Sequence, residues 1–293
     1  MHLYPSSGHL VGHAQVFCFG PGREYFNWSL NRLQTQADLV PPDHINLFVR
    51  LARVARDLTI ETIYAPRVAD FNARLATSSD YPHVIMMGEW PLRLHRGAPA
   101  AGMEIPKGTG LFVPTADCPT VIVTNPVSKR VIAAHAGLKE LVDVDYILTG
   151  KASRENGSVV SAMVNCFPKE ERWGLIVKSV CGIGPACYTH PTDHQTYGEQ
   201  NKKMLAYLKS HLGRSCVCNA ETDGRINLHG IIRSQAMSEG VHFEHISDDL
   251  VDTYCDVVPG TTLYQWHSHR RAVDEEKPEE ALKRNGVLVI NPD

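Results

Sequence analysis

The chain has 293 residues, of which 43% are apolar and 21% charged, with a formal charge of -3. That length is enough for a sizeable core, and the near-neutral balance argues against nucleic acid or an anionic membrane as the main partner. No apolar run approaches the roughly 20 residues that span a bilayer, and eight cysteines are too dilute for a disulfide scaffold, so a reducing cytoplasm is the expected setting.

In chain order, the first thirty residues read as irregular chain or short strands. "MHLYPSSGHLVGHAQVFCFG" has no charged start followed by an apolar core, so no secretory signal is expected. The spacing of apolar residues in "DHINLFVRLARVARDL", Asp43–Leu58, predicts a helix with an acidic start. "IETIYAP" and "PHVIMMGEW" read as strands, joined by the helix-like "ADFNARLA". Thr109–Gly137 reads as strand, turn, strand. A short helix fits 157–165, a strand 173–182, and two helices 201–212 and 227–239, the last stopped by Gly240. "GVLVI" closes the chain as a strand. Strands and helices alternate without a linker or repeat, which makes one α/β domain over 1–293 the simplest architecture. Cys216 and Cys218 have one residue between them, which is not the spacing of a zinc knuckle.

The densest chemistry lies in "PTADCPTVIVTNPVSKRVIAAHAG", 114–137. If "PVSK" is the loop of a hairpin, Asn125 faces Arg130 and Cys118 falls opposite Gly137. His135 then lies on the diagonal from Cys118 and on the same face. A one-residue slip would separate them. The pair is either a working site or ordinary hairpin packing, since cysteine is commonly buried. "CGIGPACYTH", 181–190, is either a glycine cradle for an anion or a tight turn. It is not a P-loop. "YQWHSHRRAV" puts His267 and His269 on one face if it is a strand, and offers Arg270 or Arg271 as a bidentate anion ligand. A solvated basic loop is the competing account.

In combination, "TADC" (115–118), "HAG" (135–137), "GIGPACY" (182–188), "TYC" (253–255) and "SHRR" (268–271) resemble the YfiH-like laccase-domain family. Its members have been described as multicopper polyphenol oxidases and as purine nucleoside phosphorylases. The match is best over 105–271. The resemblance implies a single-domain four-layer α/β sandwich of mixed sheets flanked by helices. It also implies a bound zinc, with copper as the alternative, and phosphorolysis of adenosine or inosine with adenosine deamination as a further reaction. The implied partners are a purine nucleoside and phosphate, in a monomer or homodimer.

Two of the family's three metal ligands carry over, as Cys118 and His135. The third, a histidine of an early "QVHG" motif, has no counterpart, and Pro66 of "IYAPRVADF" stands near its place. His95 is the candidate substitute. The family's "HAGWRG" is "HAGLKE" here, with Leu138, Lys139 and Glu140 replacing Trp-Arg-Gly. The catalytic candidates are therefore Cys118, His135, Arg270 and Arg271, and the metal candidates are Cys118, His135 and His95. A degenerate member that only binds a ligand or partner, a copper-dependent polyphenol oxidase, and a metal-free Cys–His hydrolase are the alternatives.

Overall fold

Alternation of apolar side chains along the strands decides how this chain layers. A computed structural model describes residues 7–21, 28, 42–68, 73–87, 92–152, 157–185, 187–189, 198–218 and 224–293. Its first half runs β1 (Ser7–Val11), β2 (Ala14–Phe19), α1 (Pro42–Asp57), β3 (Thr62–Arg67), β4 (Leu75–Ala76), β5 (His83–Met87), β6 (Leu92–Pro99), β7 (Gly102–Glu104), β8 (Thr109–Thr115), β9 (Thr120–Thr124) and β10 (Val131–His135). The second half runs α2 (Leu138–Leu141), α3 (Val144–Thr149), α4 (Val159–Asn165), β11 (Ile176–Val180), α5 (Glu199–His211), β12 (Val217–Cys218), β13 (Arg225–Ile226), α6 (Leu228–Ser238), β14 (Ile246–Asp248), α7 (His269–Asp274) and β15 (Asn285–Asn291).

Two mixed sheets result, with strand orders β1-β2-β15-β8-β3-β6-β5 and β14-β11-β9-β10-β7-β4. On β8 and β15, Leu111, Val113, Val287 and Val289 enter the core between the sheets, while Phe112, Leu288 and Ile290 point away to meet α1. On β9 and β10, Ile122, Val131 and Ala133 face the other sheet, while Val121, Val123, Ile132 and Ala134 meet α4, α5 and α6. Period-2 alternation thus buries both faces of both sheets. The order of layers is helix, sheet, sheet, helices, the four-layer α/β sandwich expected.

The helix expected over Asp43–Leu58 is α1, and those over 157–165, 201–212 and 227–239 are α4, α5 and α6. Two expectations differ. "ADFNARLA" is not a helix where it is seen: Leu75–Ala76 is strand β4, paired in parallel with β7, and 69–72 lie outside the described residues. Thr109–Gly137 holds three strands rather than two, because the chain leaves one sheet after Thr115 and enters the other at Thr120. The apolar runs on either side of that crossing look alike, so periodicity does not reveal the change of sheet.

Phe112 is fully buried, with its ring 5.9 Å from that of Trp28. Phe112→Ala should cost about 3–5 kcal/mol of unfolding free energy. Val127→Ala, on the exposed hairpin loop, should change it by less than about 0.5 kcal/mol. Urea unfolding of the two variants checks both values.

Candidate active site

The site forms where the chain changes sheets. The β9–β10 hairpin pairs Thr124 with Val131 and Thr120 with His135, and Asn125 N donates to Arg130 O at 3.1 Å. This is the register that places Cys118 and His135 on one face. His135 follows Val131 and Ala133 in alternation, so its ring points between the sheets, and it is buried.

Cys118 precedes β9 in the connecting turn. The turn is shaped by Asp117, whose φ of 74° lies in the left-handed region that non-glycine residues seldom adopt. The Thr115 hydroxyl donates to Cys118 O and closes it.

The carboxylate of Asp117 is buried and accepts from Thr253 Oγ1 at 2.7 Å and from Arg270 N at 2.6 Å. Burial raises its pKa, against bonds from Arg270 N, Thr253 and Ser268 that lower it. Ile183 N donates to Asp117 O, and Gly184 N donates to Asp252 Oδ1. A Cβ on Gly184 would lie 2.1 Å from Asp252 Oδ2, so only glycine permits that approach. The segments carrying "TADC", "GIGPACY", "TYC" and "SHRR" are therefore bonded to one another.

Three side chains converge on Gly137. A Cβ there would lie 2.7 Å from Glu140 Oε2, 2.9 Å from Cys118 Sγ and 3.1 Å from His135 Cε1. Glu140 Oε2 is 3.5 Å from His135 Nδ1, and its side chain is buried. Burial opposes a charged His135 ring, but Cys118 and then Glu140 outweigh it and push the imidazole pKa up to about 10. The phenol of Tyr188 is raised by burial and by the nearby charges of Cys118, Asp117 and Glu140, which keeps it protonated at neutral pH. The half-buried Arg284 guanidinium has its pKa lowered by desolvation, while Cys118 and Asp117 act the other way.

The two expected arginines part company. Arg270 gives Nη1 to Thr189 Oγ1 and Nε to Asp274 Oδ2 at 3.0 Å, which places its head beside Tyr188. Arg271 gives Nη1 to Thr253 O and Tyr254 O and Nη2 to Trp266 O, and it stacks on Tyr264 at 3.6 Å. Arg271 is thus spent on backbone carbonyls and is not available for an anion. His269 opens α7 instead of sharing a strand face with His267, because Ser268 caps the helix. A cavity of about 350 Å³ lies on the Tyr264, His267 and Arg271 side, and neither Cys118 nor His135 lines it.

His95 is not brought to this cluster. It is level with Tyr64 and Leu111, on a strand separated from β8 by β3. That places it roughly 10 Å across the sheet and at least roughly 13 Å along it from the end of β8. Its ring packs against Tyr64 at 4.8 Å. Pro66 lies on β3, and 69–71 of "IYAPRVADF" lie outside the described residues.

A family model described as multi-copper polyphenol oxidoreductase laccase matches residues 100–277, more than half of the chain. The chain belongs to that family. No curated protein sequence matches it. Among solved structures, the laccase-domain chain resembles Bacillus licheniformis hypothetical protein YfiH at TM-score 0.64 and 16% identity, covering 98% of this chain and 97% of that one. It resembles YlmD from Geobacillus stearothermophilus at 0.63 and 18%, covering 96% and 92%. It resembles Neisseria meningitidis protein NMB0706 at 0.56 and 13%, covering 94% and 93%. These likenesses establish the shared fold.

The laccase-domain resemblance implies a metal, and the donors here suit one in type. Thiol, imidazole and carboxylate are all zinc ligands by type and the three side chains approach Gly137, but the His135 atom nearest that point is the carbon Cε1 and the three donor atoms do not all lie within 4.8 Å of one another. In "HAGLKE" Glu140 reads only as a departure from the family's glycine, and nothing there marks it as inward-facing. The signal was the charge itself, one short turn after His135 in an apolar stretch. Arg284 carried no local signal.

Two outcomes follow. In chelator-treated protein, the His135 ring should stay protonated through neutral pH and titrate near 10, and a midpoint near 6.5 by NMR would contradict the charge arrangement. Asp117→Ala leaves buried donors without an acceptor and should cost about 2–3 kcal/mol in urea unfolding.

Proposed function

We propose that the chain cleaves purine nucleosides with phosphate at the Cys118–His135 site, with adenosine deamination as an accompanying reaction. The observation that supports this is the meeting of "TADC", "HAG", "GIGPACY" and "SHRR" around one buried cluster that holds cationic, anionic and phenolic groups together. Zinc is the proposed cofactor, held by Cys118, His135 and Glu140. When bound, it would supply Lewis-acid polarisation to the leaving base.

The remaining work falls to the chain's own residues. Phosphate must be held beside C1′ of the sugar, and the Arg270 guanidinium, oriented by Thr189 and Asp274, is the group placed for it. As a phosphate oxygen bonds to C1′, the glycosidic C–N bond breaks and its electron pair leaves with the purine. The protonated Tyr188 phenol donates a hydrogen bond toward that charge. Arg284, beside Cys118, makes the surroundings more positive without touching substrate. Asp117 is a positioning residue, since it fixes Cys118 through the turn and Arg270 through its backbone.

One observation favours a second reading. Cys118, His135 and Glu140 are also ordered as nucleophile, base and orienting carboxylate, so a metal-free thiol hydrolase would use the same three groups.

Assay of inosine and adenosine with phosphate decides between them. Under the first reading, Cys118→Ala and His135→Ala each lower kcat/KM by at least about 100-fold, and zinc is lost with them. Arg270→Ala raises the KM for phosphate by about 10- to 100-fold. Rapid alkylation of Cys118 by iodoacetamide in the protein as isolated, with no phosphorolysis, overturns the first reading and supports the second.

A further inference from the structure

We propose that a second zinc site, separate from Cys118 and His135, ties the two sheets together where the β1–β2 edge of one meets the β11–β14 edge of the other. Its donors are His9, Cys18, Asp249 and Cys181. In the β1–β2 pair, His9 faces Val16 and Ser7 faces Cys18, so His9 and Cys18 are diagonal neighbours on one face. That face is the one turned toward the second sheet, since Val16 and Cys18 belong to the core between the sheets. From the second sheet, Cys181 follows β11 directly, and Asp249 follows β14, which is parallel to β11.

The donor atoms of His9, Cys18 and Asp249 lie within 4.8 Å of one another. His9 Nε2 is 3.7 Å from Asp249 Oδ2. The Cys181 thiol faces that of Cys18, which pushes its pKa up, and Cys181 N donates to Asp249 Oδ2 at 3.0 Å, so Cys181 adjoins the group of three with its thiol on the Cys18 side.

Ordinary packing accounts poorly for this group. Two buried cysteines alone would pass as small apolar residues. The buried Asp249 carboxylate has two backbone donors, Cys181 N and Val251 N, and among the described residues its only side-chain pairing is with the His9 ring at 3.7 Å, a loose pairing for an anion taken out of water. His9 Nε2 is buried and makes no hydrogen bond. The Cys181 backbone is held at a φ of 56°, a left-handed conformation that a cysteine adopts only under constraint. Two thiolates, one carboxylate and a neutral imidazole around a divalent ion form a closed tetrahedral set of the structural kind. That set has one net negative charge, and Lys178, close enough to His9 to disfavour its protonation, offsets it. The occupied site would stitch two sheets whose contact at this edge is otherwise side-chain packing.

The test counts zinc per chain in full-length protein expressed with zinc and dialysed. In a Cys118→Ala/His135→Ala background, about one zinc per chain should remain. Adding His9→Ala or Cys18→Ser should remove it, and His9→Ala alone should lower the wild-type count by the same amount. Chelation should lower the melting temperature of the background protein, ZnCl2 should restore it, and the His9→Ala form should respond to neither.

Cys18 is in the core and Cys18→Ser can unfold the chain. His9 is partly exposed on an edge strand, so its variant, checked by circular dichroism, keeps the test decisive. A folded background protein without zinc overturns the proposal. So does zinc that survives His9→Ala, which would belong elsewhere, for example to Cys187, Asp252 and Cys255, whose thiols and carboxylate meet at 3.7 and 3.9 Å. A Cys18–Cys181 disulfide in the unreduced protein overturns it as well.

Discussion

The site depends on one buried carboxylate. Asp117 holds together three stretches of chain that are distant in sequence: its own turn between the two sheets, the Thr253 segment and the start of α7. Each contact alone is an ordinary hydrogen bond worth about 1–3 kcal/mol to a charged group. Together they cover the lone pairs of an anion that burial would otherwise drive to its neutral form, and such a network is costly to leave half made. The strained φ of Asp117 is held by that network, and Cys118 is delivered to His135 as a result. Four short motifs that look unrelated along the chain thus have one physical reason to occur together.

The layer order makes this arrangement possible. His135 reaches the space between the sheets because it continues the alternation of Val131 and Ala133 on β10. The close approach of Cys118 and Glu140 to the same spot requires a residue without a Cβ at 137. The site is therefore built at the end of a core rather than on a surface loop. This explains why its groups are buried and why their charges act on one another so strongly.

Local patterns made much of this legible. The even loop at 126–129 fixes the hairpin register, and α1, α4, α5 and α6 show in their apolar spacing. What was hidden depends on contacts across the fold. "TADC" does not show that its aspartate faces Thr253, nor does "SHRR" show that Arg271 is spent on carbonyls while Arg270 turns to Tyr188. His95 is a candidate by sequence because a sequence does not show that its strand is separated by β3 from the one that leads to Cys118. Glu140 stood out only as a departure from the family pattern, although it is the residue that reaches His135.

That departure has an electrostatic consequence. The ligand pattern that the motif resemblance implies is two histidines and one cysteine, with which a divalent ion would keep one net positive charge. On the proposed function, with Glu140 in place of the early histidine, the same ion would be neutralised. A neutral centre would draw electrons from the proposed leaving purine less strongly, and the missing charge would have to come from the surroundings. Two guanidinium groups stand there. Arg284 is half-buried and close enough to Cys118 and Asp117 for their charges to act on it, and Arg270 is tethered at Thr189. Their fixed positive charge, in a site where burial weakens screening, would take over part of what the ion supplies when two histidines and a cysteine hold it. On the proposed function, the loss near Pro66 and the gain at Glu140 would then be one coupled change, in which a neutral ligand is traded for an anionic one and balanced by Arg284 and by the Arg270 proposed for phosphate.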